Sequence, residues 1–181
     1  LPLPRGALAG LRLVLHAPGK VLRRGEVALG VRAVGLNFRD VLNVLGMYPG
    51  DPGPPGGDCA GVVLAVGPGV HSVTPGDAVF GLAPGCVGQT AYAPAELLAP
   101  KPKILSFESA AAVPTVYITA LLALGDLPPG ARILVHATAG GVGLAAIQLA
   151  GAQDARVLGT AGAPAKRAFL RSLGVEAAAG S

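Results

Sequence analysis

Tryptophan is absent from this 181-residue chain, methionine occurs once and cysteine twice, and aromatic residues make up only 4% of it. Two cysteines, Cys59 and Cys86, cannot build a disulfide framework, so free thiols in a reducing cytoplasm are the expectation. Charged side chains are also scarce, at 13%. The net charge of +4 is scattered, with no basic stripe interleaved with stacking rings, which argues against nucleic-acid binding. Low charge together with 51% hydrophobic residues excludes disorder. No positively charged start leads into an apolar run and a cleavage site, so no signal peptide is expected. Two uncharged stretches are long enough to raise the question of a membrane span. Residues 133–153 are interrupted by glycines, His136 and Gln148, and residues 109–125 are broken by Pro114. Neither is expected to cross a bilayer.

Glycine (28) and proline (17) are plentiful. Up to about residue 105 they punctuate short strand-like runs: Leu11–Leu15, Glu26–Val34, Ala60–Val66, Ala78–Leu82 and Gln89–Pro94. One segment, Asn37–Leu45, has helical spacing, and Asp51–Gly57 is a Pro/Gly loop. Many short strands in a compact block predict a small barrel or sandwich. From Ser106 onward the texture changes to a helix over 110–124, a turn at 126–130, then strand, helix, strand, helix. That order opens a parallel α/β sheet. The expected organisation is therefore a β-rich domain over 1–105 and an α/β domain over 106–181.

The densest signal lies in the second part. The β-branched run Ile133–Val135 stops at a small-residue turn, Ala137–Gly143, and an Ala/Leu/Ile run with helical spacing follows. Strand, glycine turn and helix form the unit that seats a pyrophosphate on a helix N-terminus. Glycine lets backbone approach the anion, and first-turn N–H groups point at it. The candidate contacts are Ala139, Gly140, Gly141, Val142 and Gly143. Against G-x-G-x-x-G the chain reads Thr138-x-Gly140-x-x-Gly143, so the first glycine is missing. A bare strand-to-helix turn with no ligand remains an alternative on this segment alone.

About 20 residues further on, where an acid would read an NAD ribose, the strand-like Arg156–Thr160 ends in Thr160-Ala-Gly162. No carboxylate is there, and Lys166 and Arg167 follow at the start of a helix expected over 163–173. A missing acid beside two cations favours a 2′-phosphate, hence NADPH, with Thr160, Gly162, Lys166 and Arg167 as contacts. The same two cations also fit an ordinary solvated helix face. The α/β part supplies two strands with their helices, less than one βαβαβ half. The expectation is a truncated domain with an uncovered strand edge, or one completed by a partner.

Several segments together carry a family resemblance: Val34-Gly-Leu-Asn-Phe-Arg-Asp-Val-Leu42, Leu45-Gly-Met-Tyr-Pro-Gly50, Gly57-Asp-Cys-Ala-Gly-Val-Val63, Gly81-Leu-Ala-Pro84, Val113-Pro-Thr-Val-Tyr117, the glycine turn, and Lys166-Arg-Ala-Phe-Leu170. Their order and spacing resemble the zinc-independent medium-chain dehydrogenase/reductases, and among these the enoylreductase domains of modular polyketide synthases and animal-type fatty acid synthases. The resemblance implies an α/β chain in which a GroES-like β-rich substrate domain precedes the first part of a Rossmann doubly wound parallel sheet, with the active site between. It implies NADPH reduction of a trans-2-enoyl thioester carried on an acyl carrier protein, hydride reaching the β-carbon before the α-carbon is protonated. Neighbouring synthase domains, a ketoreductase among them, would be the partners.

By the same resemblance Tyr48 matches the proposed proton donor, and Asn37 and Thr115 match cofactor-contacting positions. Each has a local alternative: an aromatic plug on a Pro-Gly loop, a helix cap, and a backbone partner. The family also carries a lysine and an aspartate on later strands as rival proton donors. Its usual serine and glutamate in Gly-Ser-Pro-Glu-Lys-Arg are alanines in Gly162-Ala-Pro-Ala-Lys-Arg167. Zinc-dependent relatives carry a His-Glu pair where Gly57-Asp-Cys59 stands here, and no metal is expected. Cys59 reads as a buried structural thiol and His136 as a strand-end residue near the turn. A free-standing quinone or enone reductase, and an inactive remnant with a structural or docking role, are the competing functions.

Overall fold

The computed structural model describes residues 6–11 and 19–180, and the chain divides into two compact units, 1–115 and 116–181. Most of the strand expected at Leu11–Leu15 lies outside the described residues.

In the first unit the strands are β1 (Glu26–Gly35), β2 (Asp58–Val66), β3 (Ala78–Leu82), β4 (Thr90–Pro94) and β5 (Leu98–Pro100). They form one antiparallel sheet in the order β4-β1-β2-β3-β5. The order is open, with β4 and β5 as its edges, so the described strands make a single sheet and not the closed barrel or two-sheet sandwich expected. β5 carries no periodicity of its own in three residues, and pairing with β3 creates it. β1 pairs on both sides and departs from regular register twice against β2, between Ala28 and Leu29 and between Val31 and Ala33. Such bulges blur the alternation that would mark a one-faced strand. Val27, Leu29, Cys59, Val63, Val79, Ala91 and Ala93 form the core of this unit. Both cysteines are fully buried free thiols, and Cys86 donates to the Asp58 carbonyl at 3.4 Å. A hydrogen bond with Cys59 and burial push the Cys86 thiol well above its usual range.

Helix α1 (Phe38–Val44) begins one residue after Asn37, its N-cap. Its polar face clamps the Pro/Gly loop that follows. Arg39 Nη2 donates to the Pro52 carbonyl (3.2 Å), Asn43 Nδ2 to the Gly53 carbonyl (3.0 Å), and Asp40 Oδ1 accepts from the Gly56 N–H (2.8 Å). These bonds replace water on a loop whose prolines leave it few backbone donors.

The single helix expected over 110–124 is two helices, α2 (Phe107–Ala111) and α3 (Pro114–Leu124). Pro114 has no N–H to continue the first helix and disfavours helical geometry at Val113, yet suits the first position of the second. Ser106 caps α2, its hydroxyl accepting from the Ser109 N–H at 3.1 Å.

The second unit alternates β6 (Arg132–Val135), α4 (Gly141–Ala152), β7 (Arg156–Thr160), α5 (Pro164–Ser172) and β8 (Ala177–Ala179). β6, β7 and β8 pair in parallel in that order. β8, an alanine run with no strand signal of its own, becomes a strand by pairing with Leu158–Thr160. Ala150, Val157, Leu170 and Val175 are the buried centre, and Ala120 of α3 meets Ala145 and Ala146 of α4. Alanine at that contact lets helix backbones approach closely, which explains why so little aromatic bulk is needed. Leu134 on β6 stays 60% exposed, on the strand whose second edge has no partner among the described residues. No helix among the described residues is long and apolar enough to cross a membrane.

Candidate active site

The second unit builds its candidate site from backbone. Gly140 is the N-cap of α4 and provides no side-chain cap, so the first-turn N–H groups at Gly141, Val142 and Gly143 lack the partner a serine or aspartate would supply. Gly140, Gly141 and Val142 lie at the exposed end of α4, while Ala139 is half-buried and packs toward the core. A Cβ on Gly143 would stand 2.3 Å from the Thr138 carbonyl oxygen, so no larger residue fits there without moving backbone. Ala137 turns the chain with φ of +49°, a conformation uncommon for a non-glycine residue.

Thr138 explains the missing first glycine. It is fully buried, its hydroxyl donates to the Val135 carbonyl (2.6 Å) and accepts from the Thr160 N–H (3.1 Å), and its own N–H donates to the Thr160 carbonyl (2.9 Å). One side chain thus ties the ends of β6 and β7. Gly159 leaves room for it, since a Cβ there would lie 2.6 Å from that hydroxyl. Thr160 completes the latch: its hydroxyl accepts from the Ala137 N–H at 3.2 Å and meets His136 Nδ1 at 3.3 Å. The Thr160 side chain is buried in this role.

Past β7 the chain presents Gly162 and then α5. Arg167 Nη1 donates to the carbonyls of Ala161 and Gly162, both at 2.7 Å, which orients a half-buried guanidinium at the strand end. Lys166 is exposed beside it. No acid occupies 160–167.

The first unit holds its candidate residues differently. Asn37 and Asp40 form a reciprocal capping box, the Asn37 N–H donating to Asp40 Oδ2 at 2.9 Å. Asn37 Nδ2 also donates to Asp58 Oδ2 (3.1 Å). Thr115, the second residue of α3, donates its N–H to Asp58 Oδ2 (3.1 Å) and its hydroxyl to Asp58 Oδ1 (2.5 Å). Asp58 therefore joins Asn37 and Thr115, which are far apart in sequence. Tyr48 is half-buried on the loop after α1, with the Arg39 guanidinium over its ring at 5.3 Å. That cation–π contact and the Arg39 bond to Pro52 hold ring and loop together. Asp58 and Thr138 are absent from the candidate residues named from sequence, whereas Thr160 is among them. An acid next to a buried strand and a threonine in place of a glycine were the visible signals. The described residues bring no three His, Cys, Asp or Glu side chains together as a metal cluster.

Residues 23–103 match the model of the alcohol dehydrogenase GroES-like domain. The chain is thus similar to proteins of the alcohol dehydrogenase superfamily. It is 51% identical over 158 residues to the spectinabilin polyketide synthase system protein NorB of Streptomyces orinoci, an alignment covering 86% of this chain and 7% of that protein. The crystal structure of CurK enoyl reductase superposes with a TM-score of 0.89 at 36% identity, covering 98% of this chain and 57% of that one. The quinone oxidoreductase from Thermus thermophilus, solved also as its complex with NADPH, gives a TM-score of 0.79 at 39% identity, covering 98% and 58%. The chain thus spans a small part of the curated synthases it matches and little more than half of these reductase structures. The GroES-like sheet followed by the opening strands of a Rossmann-like region agrees with the fold expected from the sequence. The relatives are oxidoreductases or multidomain synthases.

Proposed function

We propose that this chain is part of an NADPH-dependent enoyl reductase that acts in the cytoplasm on a trans-2-enoyl thioester carried by an acyl carrier protein, among neighbouring synthase domains. In this reading residues 1–105 serve the substrate and 106–181 the cofactor. The observation that carries the cofactor half is a helix N-terminus without a side-chain cap, on a turn that tolerates only glycine at 143, followed by a strand end with two cations and no acid. These residues suit a pyrophosphate and a ribose phosphate. Ala139 to Gly143 would hold the pyrophosphate, and Gly162, Lys166 and Arg167 the 2′-phosphate. Thr160 would act by bracing the turn. When bound, the cofactor supplies a hydride to the substrate β-carbon.

The chain's own residues then have definable tasks. Asn37 and Thr115, held by one carboxylate, form a fixed polar pair for the nicotinamide end. Tyr48 holds a phenolic proton for the substrate α-carbon, and Arg39 keeps its ring in one orientation. The likeness to polyketide synthases and to enoyl reductases supports a thioester substrate. The likeness to quinone oxidoreductases supports the second reading, a quinone or enone acceptor. NADPH oxidation followed by absorbance, with a short 2-enoyl thioester and a quinone in parallel, separates them. Turnover of the thioester alone is expected. Turnover of the quinone alone would replace the substrate assignment, and oxidation with neither would favour a structural or docking role.

A further inference from the structure

Asp58 is an acid, 1% exposed, in no salt bridge with a Lys, Arg or His among the described residues. Removing a carboxylate from water without a counter-charge is costly, and only hydrogen bonds offset it here. The three that do so are those from Asn37 Nδ2, the Thr115 N–H and the Thr115 hydroxyl. A neutral amide of the same size would fill this place without burying a charge, so packing alone gives no reason for the acid.

We propose that Asp58 is a positioning residue that sets the direction of the Asn37 amide and the Thr115 hydroxyl toward the cofactor. The inference rests on the reading above of Asn37 and Thr115 as cofactor contacts. A carboxylate can only accept, so every hydrogen facing it is directed at it. The Asn37 amide cannot flip without turning its carbonyl against the negative charge, and the Thr115 hydroxyl rotor is fixed in the same way. An asparagine at 58 offers a donor as well as an acceptor and would release the Thr115 hydroxyl rotor and weaken the hold on the Asn37 amide. The acid thereby joins the N-cap of α1 and the first turn of α3 into one pre-organised pair.

The test is equilibrium NADPH titration, by cofactor fluorescence, of the wild-type chain, Asp58→Asn, Thr115→Val and the double variant, each verified as folded by circular dichroism. Wild type is expected to bind saturably. Each single variant should bind about tenfold more weakly, and the double variant no more weakly than the worse single, because Asp58 acts through Thr115. Wild-type affinity in Asp58→Asn, or losses that multiply in the double variant, would overturn the inference alone. No saturable binding by wild type would overturn the cofactor reading, and this inference with it. Should Asp58→Asn fail to fold, amide hydrogen exchange on the wild type decides. The Asn37 and Thr115 amides should slow about tenfold on NADPH addition while those of Val79 and Phe80 do not change. Unchanged exchange at Thr115 would overturn the proposal.

Discussion

The two units hold their candidate residues by opposite means. In the first, a buried carboxylate gathers an amide and a hydroxyl, and a guanidinium lies over a tyrosine ring. In the second, neutral hydroxyls tie backbone to backbone, and glycines leave the space. The difference follows from what each part presents. Side chains that act on a reacting centre need a fixed direction, which a charge imposes strongly. A pyrophosphate, the ligand proposed for the second unit, would be bound by backbone N–H groups and so would need only a rigid turn and an open helix end.

The largest effect should come from breaking the glycine turn. Gly143→Val places bulk against the Thr138 backbone and is expected to abolish NADPH binding and cost more than ~4 kcal/mol in urea unfolding. Tyr48→Phe keeps the ring and its Arg39 contact but removes the proton. On the proton-donor reading, kcat for enoyl thioester should fall about a hundredfold with little change in cofactor affinity. Thr138→Val keeps the shape but leaves the Val135 carbonyl and Thr160 N–H without their partner. About 2 kcal/mol of stability should be lost by denaturant titration. An unchanged value would mean the neutral latch contributes less than the charged one. Lys166→Ala should weaken NADPH about tenfold, ~1.4 kcal/mol, and leave NADH unaffected. The smallest effect belongs to Glu26, half-buried at the start of β1. The Arg23 N–H and then the Lys20 ammonium hold its carboxyl below the ordinary 4.5. A lowered folded value adds stability that is present above about pH 4.5 and lost as pH falls through it. Glu26→Gln should therefore lower the melting temperature a little at neutrality, with the difference from wild type vanishing well below pH 4.5.

Elements with strong periodicity or punctuation were legible in sequence. β3, β6, β7, α4 and α5 lie within a residue or two of where Val/Leu/Ile runs and Gly or Pro boundaries put them. β5 and β8 were not, because three residues of unremarkable propensity become strands only by pairing with β3 and β7. The break between α2 and α3 was written in Pro114, but the alanines on both sides masked it. Within the candidate site, the glycine turn was readable because its chemistry is local. Asp58 was not, because its partners lie 21 and 57 residues away and meet only when the sheet forms. Thr138 looked like a defect in a motif until its hydroxyl was found bridging β6 and β7.

The most direct test of the whole account is the ratio of NADPH to NADH affinity, measured by equilibrium titration of the wild-type chain with each cofactor. The account predicts saturable binding with NADPH at least about tenfold tighter, since Gly162, Lys166 and Arg167 are proposed to hold a phosphate and no acid stands at 160–167 to serve the ribose hydroxyls. Equal affinities would contradict the 2′-phosphate assignment. Absence of binding to either would contradict the reading of the glycine turn as a nucleotide site.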